Sequence, residues 1–203
     1  MIYITEKVID VERSQRLIRW TKRVLLICGF LVLSYVGFTL VDAKIYQKNA
    51  GLTLERAIQA QVQRKTTISE WPAKEGDVLG RIEIPRIGVS VMVLEGTTTQ
   101  TLLRGVGHIA GTALPGEPGN IGIAGHRDTY FRGLKDIRAS DEIQIQTASG
   151  MTRYDVDWIQ ITVPNDVGIV SHETESALTL VTCYPFHYVG AAPERFVVHA
   201  HRQ

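Results

Sequence analysis

Three residues suited to thiol chemistry stand at the ends of strand-like segments in the second half of the chain. Cys183 ends the apolar segment ALTLVTC, His126 ends NIGIAGH, and Arg195 opens RFVVHAH. A thiol nucleophile needs an imidazole partner and a group that stabilises the oxyanion. Together the three residues predict nucleophilic catalysis. Alone, Cys183 would fit a packed cysteine equally well. His126 and Arg195, taken alone, would better fit a structural histidine and an edge-strand cation.

The same residue types allow a competing metal site. Cys183 and His187 are four residues apart, and His199 and His201 would share one face of a strand, so the four side chains could supply zinc ligands. The CxxC spacing of closed structural zinc sites is missing, which favours thiol chemistry. With only two cysteines in 203 residues, one of them Cys28 in an apolar run, a disulfide-stapled scaffold is excluded.

The apolar run lies near the N-terminus and predicts a membrane anchor. Residues 24–41 contain 18 consecutive uncharged residues, enough to span a bilayer as a helix. Six basic residues precede this run and three follow within twenty residues, which places residues 1–23 in the cytoplasm and the remainder outside. A cleaved signal peptide is the alternative, but no clear A-x-A site follows the run.

Net charge separates the two parts of the chain. Residues 1–48 contain 8 basic and 4 acidic side chains, whereas residues 49–203 contain 14 and 17. The outer part is therefore mildly acidic, which argues against nucleic acid as a partner.

The predicted helices and strands around the candidate residues begin after the anchor. Leu54, Ile58 and Val62 share one helical face, so residues 42–76 predict a stalk helix and a linker. Residues 77–203 alternate with period two over seven or eight short segments, interrupted by helical pieces at TQTLLRG and FRGLKDI. This pattern predicts an all-β domain, either a barrel or a sandwich.

Several segments resemble the sortase family of membrane-anchored cysteine transpeptidases. They are IPRIGVSVMVLEG, GVGHIAGTALPGEPGNIGIAGHRDTYF, TLVTCYPF and APERFVVHA, in the family's order of histidine, cysteine and arginine. The resemblance covers residues 77–203 and is greatest to class D. It implies a closed eight-stranded β-barrel with short helices, preceded by one N-terminal transmembrane helix.

The resemblance also assigns roles to residues. Cys183 matches the nucleophile, His126 the catalytic histidine and Arg195 the arginine of the site, while Thr182 matches a threonine that helps hold substrate or oxyanion. His126 acts either as a base on the thiol or as a charged acid toward the leaving amine, and both roles stay open. Asp128 invites a triad, but the family does not rely on an aspartate there.

The implied activity is transfer of a secreted protein. The enzyme would cleave an LPxTG-like sorting motif and pass the thioacyl-bound protein to an amine acceptor, such as a cell-wall precursor or another surface protein, with hydrolysis as a side reaction. The implied location is the cell membrane, single-pass, with the catalytic domain outside. No cofactor is implied; calcium, which some members bind through acidic loops, stays open at Glu173 and Glu175. A non-catalytic peptide-binding barrel is the alternative function.

Overall fold

A computed structural model of the protein describes residues 2–63, 74–164 and 176–203. The chain forms two compact units, one ending at Lys44 and the other covering Ile45–Gln203. Helix α1 has the bounds Ile2–Gln63. Its segment Trp20–Phe38 is long and apolar enough to cross a membrane, with a mean hydropathy of 1.6 and no buried residue. This segment overlaps the predicted span 24–41 and is consistent with a membrane anchor or a signal sequence.

The second unit contains a closed barrel of eight strands, as predicted. Their order around the barrel is β1-β2-β3-β4-β7-β8-β6-β5. Two predicted helical pieces also form, as helix α2 (Thr99–Arg104) and as a 3-10 helix (Arg132–Asp136). The strands are β1 (Val78–Ile84), β2 (Val89–Glu95), β3 (Val106–His108), β4 (Asn120–Gly125), β5 (Glu142–Thr147), β6 (Gly150–Thr162), β7 (Ala177–Tyr184) and β8 (Glu194–Arg202).

The core of the barrel follows the period-two alternation of its strands. Ile82 and Ile84 on β1 are fully buried, whereas Arg81 and Glu83 between and beside them are partly exposed. A 3-10 turn at Pro85–Ile87 links β1 to β2, and Gly88 closes it with φ +66°, a left-handed conformation that favours glycine. This turn lets β1 and β2 pair in antiparallel orientation, with Ile84 opposite Val89.

Strand β2 is buried on both faces, which simple alternation does not predict. Met92 and Leu94 on its outer face contact Ala50 and Leu54 of α1. The Gln47 side chain accepts a hydrogen bond from the Met92 N–H at 3.0 Å. The first part of the predicted stalk, from residue 45, therefore belongs to the barrel unit. The predicted linker lies largely in residues 64–73, outside the described residues, and the predicted boundaries 42–76 stay a prediction.

A buried carboxylate fastens the turn after β1 to the start of β5. Asp141, only 7% exposed, accepts hydrogen bonds from the Arg86 guanidinium and from the Arg138 backbone N–H. The Arg86 hydrogen bonds and charge hold the pKa of the Asp141 carboxyl below its ordinary value, although burial opposes this. The carboxylate is therefore used for structure and stays ionised.

Candidate active site

The ends of three neighbouring strands meet at one rim of the barrel. Strand β4 runs parallel to β7, with Gly125 opposite Thr182. Strand β8 runs antiparallel to β7, with Arg195 opposite Cys183. His126 follows Gly125 directly, so it stands beside Cys183 in the continuation of the parallel register. Since neighbouring strands lie about 5 Å apart, the backbones of the three predicted catalytic residues are adjacent.

Alternation along the strands places these side chains on the outer face of the barrel. Leu178 and Leu180 of β7 and Val198 of β8 point into the hydrophobic core. Cys183 and Arg195 are an odd number of positions from these core residues, so they face outward. Both are partly exposed. The site is therefore an open surface at the rim and not a cavity inside the barrel.

The segment after His126 holds this residue at the rim. The Phe131 N–H donates to the His126 carbonyl at 3.1 Å, closing a short turn, and the Phe131 ring is fully buried. Gly125 allows this close approach, because a Cβ there would lie 2.6 Å from the Phe131 ring. The His126 side chain is partly exposed and has no hydrogen-bond partner among the described residues. The imidazole is thus positioned by backbone and packing, and its nitrogens remain available.

Thr182 lies beneath the site, with 2% of its surface exposed. Its hydroxyl donates to the Gly125 carbonyl at 2.7 Å. This bond ties the end of β4, just before His126, to the residue before Cys183. A direct contact of Thr182 with substrate stays a prediction.

Arg195 is held by the loop that precedes it. Its Nη1 donates to the Glu194 carbonyl at 3.0 Å and to the Ala192 carbonyl at 3.4 Å. These neutral acceptors leave the positive charge uncompensated, because no carboxylate among the described residues forms an ion pair with this guanidinium. A guanidinium beside a thiol favours the thiolate and can stabilise a developing oxyanion.

Other histidines are committed to structure or lie apart. His108 is buried, with Nδ1 2.9 Å from the Glu95 carboxylate and Nε2 3.1 Å from the Ala113 carbonyl. His187 is exposed on the loop after β7. Asp128 is exposed and makes no side-chain hydrogen bond within the described part of the chain, so the structure brings no aspartate to His126.

The register separates the components of the alternative metal site. His199 stands opposite Thr179, four positions along β7 from Cys183, a separation of about 13 Å. His199 and His201 both contact Asp157, at 3.1 and 2.6 Å from Nδ1. Within residues 2–63, 74–164 and 176–203, no three His, Cys, Asp or Glu side chains form a group that could hold a metal ion. Glu173 and Glu175, where calcium was left open, lie outside the described residues.

Known proteins share this fold and much of this sequence. The family model described as the sortase domain matches residues 82–203. Sortase D of Bacillus subtilis (strain 168) is 33% identical over 185 residues, covering 86% of this chain and 93% of that protein.

Solved structures agree with the sequence matches. A Clostridium perfringens sortase D5 transpeptidase superposes with a TM-score of 0.64 at 28% identity, covering 79% of this chain and 97% of that one. A Clostridium perfringens sortase C, solved with the C-terminal cell wall sorting motif, gives a TM-score of 0.60 at 26% identity, covering 77% and 86%. The sortase model matches more than half of this chain, and the Bacillus subtilis relative matches 86% of it. The protein therefore belongs to the sortase family of cysteine transpeptidases.

Proposed function

We propose that this chain cleaves an LPxTG-like sorting motif through a thioacyl-enzyme at Cys183 and transfers the substrate protein to an amine. The observation that carries the proposal is the register at the barrel rim. Gly125 pairs with Thr182, and Cys183 pairs with Arg195. His126 is the residue after Gly125, and Cys183 is the residue after Thr182. Nucleophile, imidazole and guanidinium thus have adjacent backbones on one open face, where a peptide can lie across them.

The proposed reaction has two steps and regenerates the Cys183 thiol. In the first, the Cys183 sulfur forms a bond to the threonine carbonyl carbon of the motif, and the bond from that carbon to the next residue's nitrogen breaks. The leaving amine takes a proton. In the second, an acceptor amine attacks the thioester, a new amide forms and the thiol is regenerated. Water in place of the amine gives hydrolysis.

His126 and Arg195 have different proposed roles beside the thiol. His126 has uncommitted ring nitrogens, so it can take the thiol proton or donate one to the leaving amine. Arg195 cannot serve as a base, because a guanidinium stays protonated. We assign it to the tetrahedral oxyanion or the substrate carbonyl. None of these steps requires a metal or an organic cofactor, so we expect turnover in the presence of a chelator.

The substrate class is supported by a relative. The Clostridium perfringens sortase C structure contains a C-terminal cell wall sorting motif, and its fold matches this chain with a TM-score of 0.60. We infer that a secreted protein carrying such a motif is the substrate here. The acceptor is an amine of a cell-wall precursor or of another surface protein.

Membrane attachment is supported by α1. Its segment Trp20–Phe38 has no buried residue, and large apolar side chains such as Phe30 and Leu33 are 71% and 72% exposed. Lipid would cover this surface. We propose a single-pass anchor with a cytoplasmic N-terminus and the barrel outside the cell. Tethering would concentrate the enzyme where its substrates leave the secretion machinery.

Intact mass spectrometry tests the proposal. The full-length protein in detergent is incubated with a library of LPxTG-like peptides, with and without an amine acceptor. We expect a mass increase matching the thioacyl adduct, which the amine converts into ligated product and EDTA leaves unchanged. Cys183→Ala should lose the adduct, whereas Cys28→Ala, in the apolar segment, should keep it. Peptide binding without an adduct, with the Cys183 thiol shown to be reduced, would favour a non-catalytic binding barrel.

A further inference from the structure

The segment that carries His126 is linked to the loop between Cys183 and Arg195. Residues 185–193 connect β7 to β8, and we name them the β7–β8 loop. The next residue after His126 is Arg127, whose Nη2 donates to the Tyr188 carbonyl at 2.7 Å and to the Gly190 carbonyl at 3.2 Å. Its guanidinium also lies over the Tyr188 ring, 5.9 Å from the centroid.

These bonds hold the part of the loop that has no other support. Near β7, Phe186 packs its ring against Phe196 at 5.1 Å. Near β8, Arg195 bonds the Ala192 carbonyl. Between these points, Arg127 supplies the only hydrogen bonds to residues 187–191 within the part of the chain that the structure describes. The middle of the loop otherwise faces solvent, with Val189 97% exposed.

Stability alone does not explain the position of the Arg127 side chain. Nη1 of Arg127 is buried and has no hydrogen-bond partner among the described residues. An unpaired buried N–H is unfavourable, and this penalty offsets part of what the Nη2 bonds and the ring contact contribute. Replacing Arg127 should therefore change the global stability little while releasing the loop.

We propose that Arg127 is a positioning residue that holds the β7–β8 loop against the His126 segment. The strands fix the backbones of His126, Cys183 and Arg195 at the rim. They do not fix the β7–β8 loop, which begins two residues after Cys183 and ends two residues before Arg195. Both hydrogen bonds come from Nη2, while the planar guanidinium also lies over the Tyr188 ring, a contact that a lysine ammonium makes less well. Arg127 thereby fixes the position of this loop beside the thiol. This inference rests on the proposed function for its kinetic part only.

Kinetics of the full-length protein with an LPxTG-type peptide test the positioning role. Misplacement of reacting groups by about 1 Å can lower a rate by 10²-fold, so we expect Arg127→Ala to slow thioacyl formation by roughly 10- to 100-fold. The melting temperature should change by no more than about 2 °C, within the range of a surface substitution. Arg127→Lys keeps the charge and a donor nitrogen but not the planar group over Tyr188, so it should recover only part of the rate. A wild-type rate in Arg127→Ala would overturn the proposal.

Two further variants make the result specific. Arg132 is exposed on the 3-10 helix five residues further on, so Arg132→Ala removes a nearby positive charge and should leave the rate within about twofold. Gly190 has φ +102°, so Gly190→Ala strains the loop at an acceptor of the Arg127 bond. If both residues act through the loop, the double variant Arg127→Ala/Gly190→Ala should lose less than the product of the single losses. Independent, multiplicative losses would contradict a shared mechanism.

Limited proteolysis tests the link without using activity. Chymotrypsin cleaves after aromatic residues, and Tyr188 in the loop is 47% exposed. In Arg127→Ala we expect cleavage after Tyr188 to be at least about tenfold faster, because the loop opens more often. Unchanged cleavage after Tyr188 would refute the link even if catalysis fell. If the wild-type protein forms no adduct with any peptide, the proposed function fails, and the proteolysis experiment still decides whether Arg127 holds the loop.

Discussion

Both ends of the β7–β8 strand pair carry ionisable side chains, but these side chains are hydrogen-bonded to each other at one end only. At the far end, Asp157 lies at a β-bulge between Val156 and Trp158, so its carboxylate reaches both His199 and His201. The Trp158 ring also stacks on His199 with centroids 4.8 Å apart. Every member of this cluster has a partner.

At the rim, the ionisable groups are left available. Among the described residues, the His126 ring and the Cys183 thiol have no hydrogen-bond partner, and Arg195 contacts only backbone carbonyls. Pairing at the far end favours stability, whereas a catalytic group must keep its bonds for the substrate. The histidines at the two ends therefore differ in whether neighbouring side chains occupy their ring nitrogens. Substitutions matched between the two ends can test this distinction.

The largest contrast is expected between His126 and His201. His126→Gln should lower the rate of thioacyl formation by about 10²–10⁴-fold, the usual contribution of a general acid or base. His201→Gln at the far end, where the side chain is 58% exposed, should leave the rate within about twofold. Single-turnover mass spectrometry with an LPxTG-type peptide measures both. Equal losses would show that the two ends do not differ as we describe.

A slightly smaller contrast is expected between the two arginines of β8. Arg195→Ala removes the oxyanion donor and should lower thioacyl formation by about 10²–10³-fold, with a smaller effect on peptide binding. Arg202→Ala, at the other end of the same strand, removes an exposed cation and should have little effect. Peptide binding to the Cys183→Ala background, measured by calorimetry, separates affinity from rate. A loss confined to affinity would reassign Arg195 to substrate binding.

Two threonines of β7 offer a subtler comparison. Thr182 donates to the Gly125 carbonyl beside His126, and Thr179 donates to the Asn120 side chain at the other end of the same strand pair. Each valine substitution removes the donor of a buried hydrogen bond, which should destabilise the fold by about 1–3 kcal/mol. Only Thr182→Val should also slow thioacyl formation, by about tenfold, because it frees the segment that positions His126.

Denaturant unfolding and single-turnover kinetics of both variants test this pair. Thr182→Ser keeps the hydroxyl and should restore the rate. If Thr179→Val slows the reaction as much as Thr182→Val does, the hydroxyl at residue 182 has no special connection to His126.

Local pattern was sufficient to predict much of this molecule. Alternation predicted the strands other than the three-residue β3. Residue type and position at strand ends made Cys183, His126 and Arg195 candidates, and the resemblance to sortases supplied their predicted roles. The pairing of β4 with β7 could not be derived, because these strands are parallel and distant in sequence, so no turn fixes their register. The contacts of the Thr182 hydroxyl and of Arg127 depend on that long-range pairing. Their acceptors are backbone carbonyls, which leave no trace in residue types.

The sequence of β2 does indicate that its outer face is covered. The segment VSVMVLE contains four successive apolar residues, 91–94. If the outer face of β2 met solvent, Met92 and Leu94 would be exposed there. A run without alternation indicates burial on both faces, but it does not name the element that covers the outer one. That element is the part of α1 that contains Ala50 and Leu54.

The smallest effect on activity is expected at Asp157. Asp157→Asn removes the charge that both far-end histidines contact, and the free energy of unfolding should fall by about 1–2 kcal/mol, as for a partly exposed hydrogen bond to a charged group. Asp155, two residues earlier on β6, provides the matched control, because its carboxylate bonds only the Gln203 side chain within the described residues. Its asparagine variant should stay within about 0.5 kcal/mol of the wild type. Denaturant midpoints measure both, and thioacyl formation should stay within about twofold in each. A slowed reaction in Asp157→Asn would mean that the far end communicates with the rim along β8, and that its pairing is part of the catalytic machinery.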